Sequence, residues 1–334
     1  MHTKKLTVLT EGGRVSGFGH ITRCLSISKY FKEFGVTVDF IVDGDDSIVS
    51  MLENQSFVLM NWLNKKSILK KLQESSFVLI DSLRITNDQI RDIQKLDVDI
   101  IYIDDEKRRN VLDRGFVLDW TVLVDDKNYF LPKKENVTYL LGSKYTPLRE
   151  PFNSNSKVCI AKEIKSILVS FGGSDVRNLT PAVLESLSKH FPNLKKRIVV
   201  GDGFTNIEGI KLFQDKNTTL IYNANAEKMS SLMQNSDIAI SSGGQTLYEL
   251  VCLGVPTIAI LMVENARDDT EGWAEVGSIN YIGNFDDTDL MQKLVVSMKA
   301  LENYESRKKM QSSSRFIGFN GGKLIVDTVI KEGK

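Results

Sequence analysis

Leu6-Thr-Val-Leu9 followed by Ser16-Gly-Phe-Gly-His-Ile-Thr-Arg23 is the stretch whose reading decides the fold. An apolar run, a glycine-rich loop and then apolar residues at helical spacing (Leu25, Ile27, Tyr30, Phe31) read as strand, loop and helix. Gly17 and Gly19 let the backbone turn tightly and approach a ligand. The helix opens with N–H groups lacking intrahelical partners and with the positive end of its dipole, a place for an anion. His20 stands at this junction, whereas His2 and His190 have no such setting. An imidazole there suits general-base chemistry near neutral pH. A histidine that merely packs or caps the helix fits the same spacing.

Outward from this stretch the scheme repeats. Val36-Thr-Val-Asp-Phe-Ile-Val42, Phe57-Val-Leu-Met60, Phe77-Val-Leu-Ile80 and Asp99-Ile-Ile-Tyr-Ile103 are strand-like runs with helical patterns between them, and Val117 to Val124 reads as a further strand. Continuous apolar strands are covered on both faces, as in a parallel sheet between helices. Acidic residues close several of them: Asp43-Gly44-Asp45-Asp46, Asp81 and Asp104-Asp105. Asp43-Gly44-Asp45 has the shape of a DxD metal motif, but such residues equally form turns. From Pro147 to Lys165 prolines, asparagines and serines loosen the pattern, which reads as a linker.

Beyond it the scheme restarts. Ser166-Ile-Leu-Val-Ser-Phe171 is a strand, Gly172-Gly173-Ser174-Asp175 a second glycine loop, and Asn178 to Leu187 a helix with Thr180 as its expected N-cap. Ile238-Ala-Ile240 leads into Ser241-Ser-Gly-Gly-Gln-Thr246 and a helix from Leu247 to Leu253, stopped by Gly254. In that loop, Ser242, Gly243, Gly244, Gln245 and Thr246 offer N–H groups and hydroxyls to a diphosphate. Glu249, read as lying on the first turn of the helix, is placed to accept the hydroxyls of a ribose; the same glutamate can simply complement the helix dipole. Gly172, Gly173 and Ser174 form a second candidate cradle, and Arg23 a cation to offset phosphate charge. Each half thus begins with strand, glycine loop and helix. The expected architecture is two Rossmann-like α/β domains, 1–155 and 156–334, with mostly parallel sheets facing a cleft.

Composition narrows the class. The 334 residues carry 43 Lys plus Arg against 43 Asp plus Glu, which argues against a general nucleic-acid binder. Cys24, Cys159 and Cys252 are far apart, so no zinc motif forms, and their sparse, odd number suits a reducing cytoplasm. Cys24, beside the His20 loop, reads as a small buried residue rather than a nucleophile. The start of the chain lacks a signal-peptide core, and no apolar run approaches the ~20 residues of an integral membrane segment.

Gly17-Phe-Gly-His-Ile-Thr-Arg23, Asp81-Ser82, Asp104-Asp105, Leu141-Gly142 with Tyr145 and Leu148-Arg149, Phe171-Gly-Gly-Ser-Asp175 with Asn178-Leu179-Thr180, and Gly243-Gly-Gln-Thr-Leu-Tyr-Glu249 occur in one order. Together they resemble the PseG/SpsG family of UDP-2,4-diacetamido-2,4,6-trideoxy-β-L-altropyranose hydrolases of pseudaminic acid biosynthesis and spore-coat polysaccharide proteins. The second half also resembles the nucleotide domain of MurG-type GT-B glycosyltransferases. The resemblance implies a GT-B fold, a UDP-sugar as small-molecule partner held mainly through its nucleotide by the C-terminal domain, and inverting replacement of UDP by water without metal or cofactor. It implies His20 as the water-activating base and Glu249 as the ribose ligand. It also implies Asn265, in Val263-Glu-Asn265, as a sugar-site residue. Asp81, at the end of its strand, completes the expected catalytic set, with Asn265 positioning sugar or water; a carboxylate there can equally cap a helix. Two positions depart from the hydrolases: Leu83 stands where they carry a tyrosine, and Ala266 where they usually carry glutamine. Both remove polar groups from the sugar side, which points to a different sugar or to transfer onto an acceptor other than water. Hydrolysis of a UDP-linked deoxy amino sugar is the first expectation. A GT-B glycosyltransferase with the same donor site and a non-catalytic sugar-nucleotide binder are the alternatives.

Overall fold

The computed structural model describes residues 4–14, 16–64, 67–153, 157–314, 317–318 and 320–333. It divides into two compact units, Met1–Arg149 with Asn320–Lys334, and Glu150–Phe319.

In the first unit the strands are β1 (Lys5–Gly12), β2 (Thr37–Gly44), β3 (Ser56–Leu59), β4 (Phe77–Asp81), β5 (Asp99–Ile103), β6 (Gly115–Asp119) and β7 (Val137–Leu141). They form one parallel sheet in the order β3-β2-β1-β4-β5-β6-β7. Between them run helices α1 (Gly19–Glu33), α2 (Val49–Leu52), α3 (Ile68–Leu72) and α4 (Asn87–Gln94). All five residues of β4 are buried, as a strand covered on both faces requires. One face packs Leu9, Ile41, Val78, Ile80 and Ile100 against Ile68, Leu72, Ile90 and Ile93. The strand expected to reach Val124 ends at Asp119, because Asp119 turns inward: its Oδ2 accepts from Arg108 Nε at 2.7 Å and its Oδ1 from the Thr121 amide at 3.1 Å.

The second unit repeats the plan with β8 (Ser166–Ser170), α5 (Thr180–His190), β9 (Lys195–Val200), α6 (Ile207–Leu212), β10 (Thr218–Tyr222), α7 (Ala226–Gln234), β11 (Ile238–Ser242), α8 (Gln245–Leu253), β12 (Thr257–Leu261), α9 (Arg267–Glu275), β13 (Asn280–Asn284), α10 (Leu290–Ala300) and α11 (Tyr304–Ser313). Its parallel sheet runs β10-β9-β8-β11-β12-β13. In both sheets the strand order reverses direction once, between β1 and β4 and between β8 and β11. A ligand crevice forms outside the carboxyl ends of the strands at such a switch point.

The expected boundary between residues 155 and 156 lies outside the described residues. The end of the chain departs from the expected division at 156–334: α12 (Gly321–Glu332) belongs to the first unit. It begins with two glycines because the chain there passes against backbone. A Cβ on Gly321 would sit 2.2 Å from the Thr146 carbonyl oxygen, and one on Gly322 2.9 Å from the Tyr30 ring. Ile325, Val326 and Val329 are fully buried, so apolar burial decides where this helix goes.

Candidate active site

At the first switch point the carboxyl ends of β1, β4 and β5 deliver Glu11, Asp81, Asp104 and Asp105, and the start of α1 delivers His20 and Arg23. Gly13 and Gly17 bond each other's backbone (2.9 and 2.8 Å) and pinch the loop shut before α1. Gly17 holds φ +78°, which a side chain would resist. No side chain caps α1, and no acidic residue lies in its first turn.

His20 and Asp81, both in the expected catalytic set, are in contact. His20 Nδ1 lies 2.7 Å from Asp81 Oδ1, with the ring 9% exposed and the carboxylate fully buried. An ionised carboxylate only accepts, so the proton sits on Nδ1 and the lone pair on Nε2. Burial works against ionisation of Asp81, but the Arg23 cation and the imidazole overcome it and hold the carboxyl far below the usual range. Burial likewise opposes a charge on His20, yet the Asp81 carboxylate outweighs both that and the Arg23 cation, so the imidazole titrates above its ordinary value. Cys24 is fully buried with its thiol 3.5 Å from Asp81 Oδ2, and burial pushes that thiol well up, which matches its reading as a packed residue.

Arg23, read as a phosphate contact, is engaged within the protein. Its Nε and Nη2 donate to the two Asp81 oxygens at 2.7 and 2.6 Å, and Nη1 donates to Asp105 at 2.7 Å. Trp120 lies under the guanidinium, 5.1 Å from ring centre to carbon. Asp104 accepts from the Arg109 and Asn110 amides at 2.6 and 3.3 Å, while its other oxygen is buried with no hydrogen-bond partner. Burial pushes this carboxyl up to about 7. Asp45 of the DxD-like stretch accepts from the Ser47 and Arg14 amides at 2.9 and 3.0 Å, and Asp43 faces Arg84 at 3.1 Å, so Asp43 and Gly44 end β2 and Asp45 caps the turn that follows. Among the described residues no three His, Cys, Asp or Glu side chains gather as a metal site.

Glu11 escaped the sequence reading. It is buried and holds the chain after β4, accepting from Ser82 Oγ (3.1 Å), the Leu83 amide (2.9 Å) and Arg84 Nε (2.6 Å). The available signal was a carboxylate ending an apolar strand just before two glycines. Leu83, one of the two departures, gives its carbonyl to Lys107 and Arg109 at 2.6 and 3.0 Å.

In the second unit both glycine loops lie at the switch point, Gly172–Ser174 after β8 and Gly243–Gly244 after β11. Their helices differ. Asp175, not Thr180, caps α5: its two oxygens accept from the Leu179 and Thr180 amides at 2.9 Å each, so a carboxylate of the chain already fills that helix start. At α8 the N-cap residue is Gly244, which holds φ +96° and has no side chain with which to cap the first turn. Gly243 passes close to the next element: a Cβ there would lie 2.5 Å from Thr270 Oγ1 and 2.7 Å from Ala266 Cβ. This contact fixes the turn carrying Asn265, which is exposed, against the loop of Ser242, Gln245 and Thr246. Ala266, the second departure, is the small residue that lets the turns meet. Glu249 lies on the second turn of α8 rather than the first, fully buried.

The fold and these switch-point loops define a GT-B protein. The glycosyltransferase family 28 C-terminal domain matches residues 166–319. The crystal structure of MurG from Acinetobacter baumannii superposes with a TM-score of 0.70 at 14% identity, covering 98% of this chain and 99% of that one. In sequence the chain is similar to proteins of the PseG/SpsG kind. The spore coat polysaccharide biosynthesis protein SpsG of Bacillus subtilis is 22% identical over 83% of each chain. The Helicobacter pylori pseudaminic acid cytidylyltransferase and UDP-2,4-diacetamido-2,4,6-trideoxy-beta-L-altropyranose hydrolase is 23% identical over 81% of this chain and 47% of its own length. An uncharacterised protein of Methanocaldococcus jannaschii is 29% identical over 79% of this chain and 57% of its own length. The match therefore spans about half the length of these last two relatives. Among the described residues no helix is long and apolar enough to cross a membrane.

Proposed function

We propose that the chain is a sugar-nucleotide enzyme that cleaves a UDP-linked deoxy amino sugar into UDP and free sugar. The second unit holds the nucleotide, with the diphosphate at the uncapped start of α8 and the ribose at Glu249. The first unit supplies the base. The water oxygen attacks the anomeric carbon as the bond from that carbon to the UDP oxygen breaks. The bonding pair leaves with UDP, the configuration inverts, and His20 Nε2 takes the water proton. Asp81 orients the ring and stabilises the imidazolium that forms. Asn265 contacts the sugar. The observation that carries this reading is the 2.7 Å contact between His20 Nδ1 and Asp81, which leaves the second ring nitrogen as acceptor. A source in bacterial-type surface polysaccharide or nonulosonic acid synthesis fits the named relatives.

A transferase using the same donor site is the second reading, favoured by the family 28 match over the nucleotide-binding unit. Incubation with UDP-sugars, followed by UDP and free sugar, separates the readings. Equal amounts of both without acceptor support hydrolysis. Release only on adding an acceptor supports transfer, and binding without turnover removes both. His20→Ala is expected to abolish turnover with UDP affinity intact; loss of UDP binding instead would take His20 out of the base role.

A further inference from the structure

One oxygen, Asp81 Oδ1, serves two donors: His20 Nδ1 at 2.7 Å and Arg23 Nη2 at 2.6 Å. Sharing it brings the two nitrogens within 3.2 Å of each other. A protonated imidazole would place a second cation against the guanidinium, with Asp81 fully buried between them. The guanidinium cannot retreat. Nε is on the other Asp81 oxygen, Nη1 is on Asp105 at 2.7 Å, and the flat face lies on Trp120. Glu11 from β1, itself paired with Arg84 at 2.6 Å, also acts on the ring. Cys24 contributes a protonated thiol.

We propose that Arg23, anchored by Asp105 and Trp120, is a positioning residue that limits how far Asp81 favours the imidazolium and so keeps His20 available as a base. The charge coupling between Arg23 and His20 follows from these distances; its catalytic meaning rests on the reading of His20 as base. Without Arg23 the buried Asp81 carboxylate faces the imidazole with its charge uncompensated, and an opposite charge so close moves a titration by one unit or more.

The test is an NMR titration of the His20 ring in the full chain, its signal identified by loss in His20→Ala. Arg23→Gln is expected to raise the midpoint by about one pH unit or more, and Arg23→Lys, which keeps a cation, to restore most of the wild-type value. A midpoint that stays put or falls in Arg23→Gln overturns the proposal. Should Arg23→Gln not fold, Asp105→Asn decides: the guanidinium then leans wholly on Asp81 and the midpoint drops, whereas an unchanged or raised midpoint overturns it. Turnover by His20→Ala with midpoints that move as expected would sink the proposed function and the catalytic meaning of Arg23, and leave only the charge coupling between Arg23 and His20 standing.

Discussion

Asp81→Asn is the sharpest perturbation of the first unit. The carboxylate is fully buried and receives His20 Nδ1, two Arg23 nitrogens and the Cys24 thiol. The amide has one accepting oxygen and brings two donors of its own to a site lined with donors. Arg23 keeps only Asp105 as counter-ion. Removing one partner of a buried pair costs about 3–5 kcal/mol. The pH dependence is specific. Asp81 is held below its unfolded value, so its stabilisation is present above about pH 4 and is lost as pH falls. His20 is raised, so its share is present below about pH 6.5 and is lost as pH rises through the folded value. The gap between wild type and variant is therefore widest between these limits and narrows on either side. Urea titrations read by hydrogen exchange of α1 and β4 amides measure it locally. Turnover should fall by about 100- to 10,000-fold as ring orientation is lost. A gap under about 1 kcal/mol, or one flat with pH, would refute the assignment of Asp81 as an ionised partner of both His20 and Arg23.

Three further outcomes are expected. Glu249→Gln should weaken UDP binding by about 10- to 100-fold in calorimetry, the loss of a charged acceptor, and unchanged affinity would remove Glu249 from the ribose. Gly243→Ala should destabilise the second unit by about 1–3 kcal/mol and weaken UDP binding, because its Cβ meets Thr270 and Ala266; an unaltered melting temperature and affinity would show slack between those turns. Asp104 is raised to about 7 by burial, so the folded chain gains a proton relative to the unfolded one and loses stability as pH rises from about 4 through 7. Asp104→Asn, whose amide oxygen still accepts from Arg109 and Asn110, should gain up to about 4 kcal/mol at pH 8 and nothing at pH 4, read from urea midpoints at the two pH values.

Much of this protein is written locally. Continuous apolar runs such as Phe77–Ile80 and Ser166–Phe171 are short and closed by turn residues, which reads as strands buried on both faces, and the glycine loops behind them mark where each sheet opens. His20 was legible because glycines and a helix start surround it, and the ordered motifs made the resemblance to PseG/SpsG proteins visible. What escaped depends on partners distant in the chain. The pairing of Arg23 with Asp81 and Asp105 joins residues 58 and 82 positions apart, which no local pattern reveals. Thr180 has the type of an N-cap, but Asp175 reaches the amides first because the loop turns left-handed there, with φ +40°. The sequence by itself determined the two sheets and the glycine loops at their switch points, since period and glycine placement are local properties. Only the tertiary structure decided which carboxylate meets which cation and which unit takes the last helix, because charge pairing and apolar burial depend on distance in space.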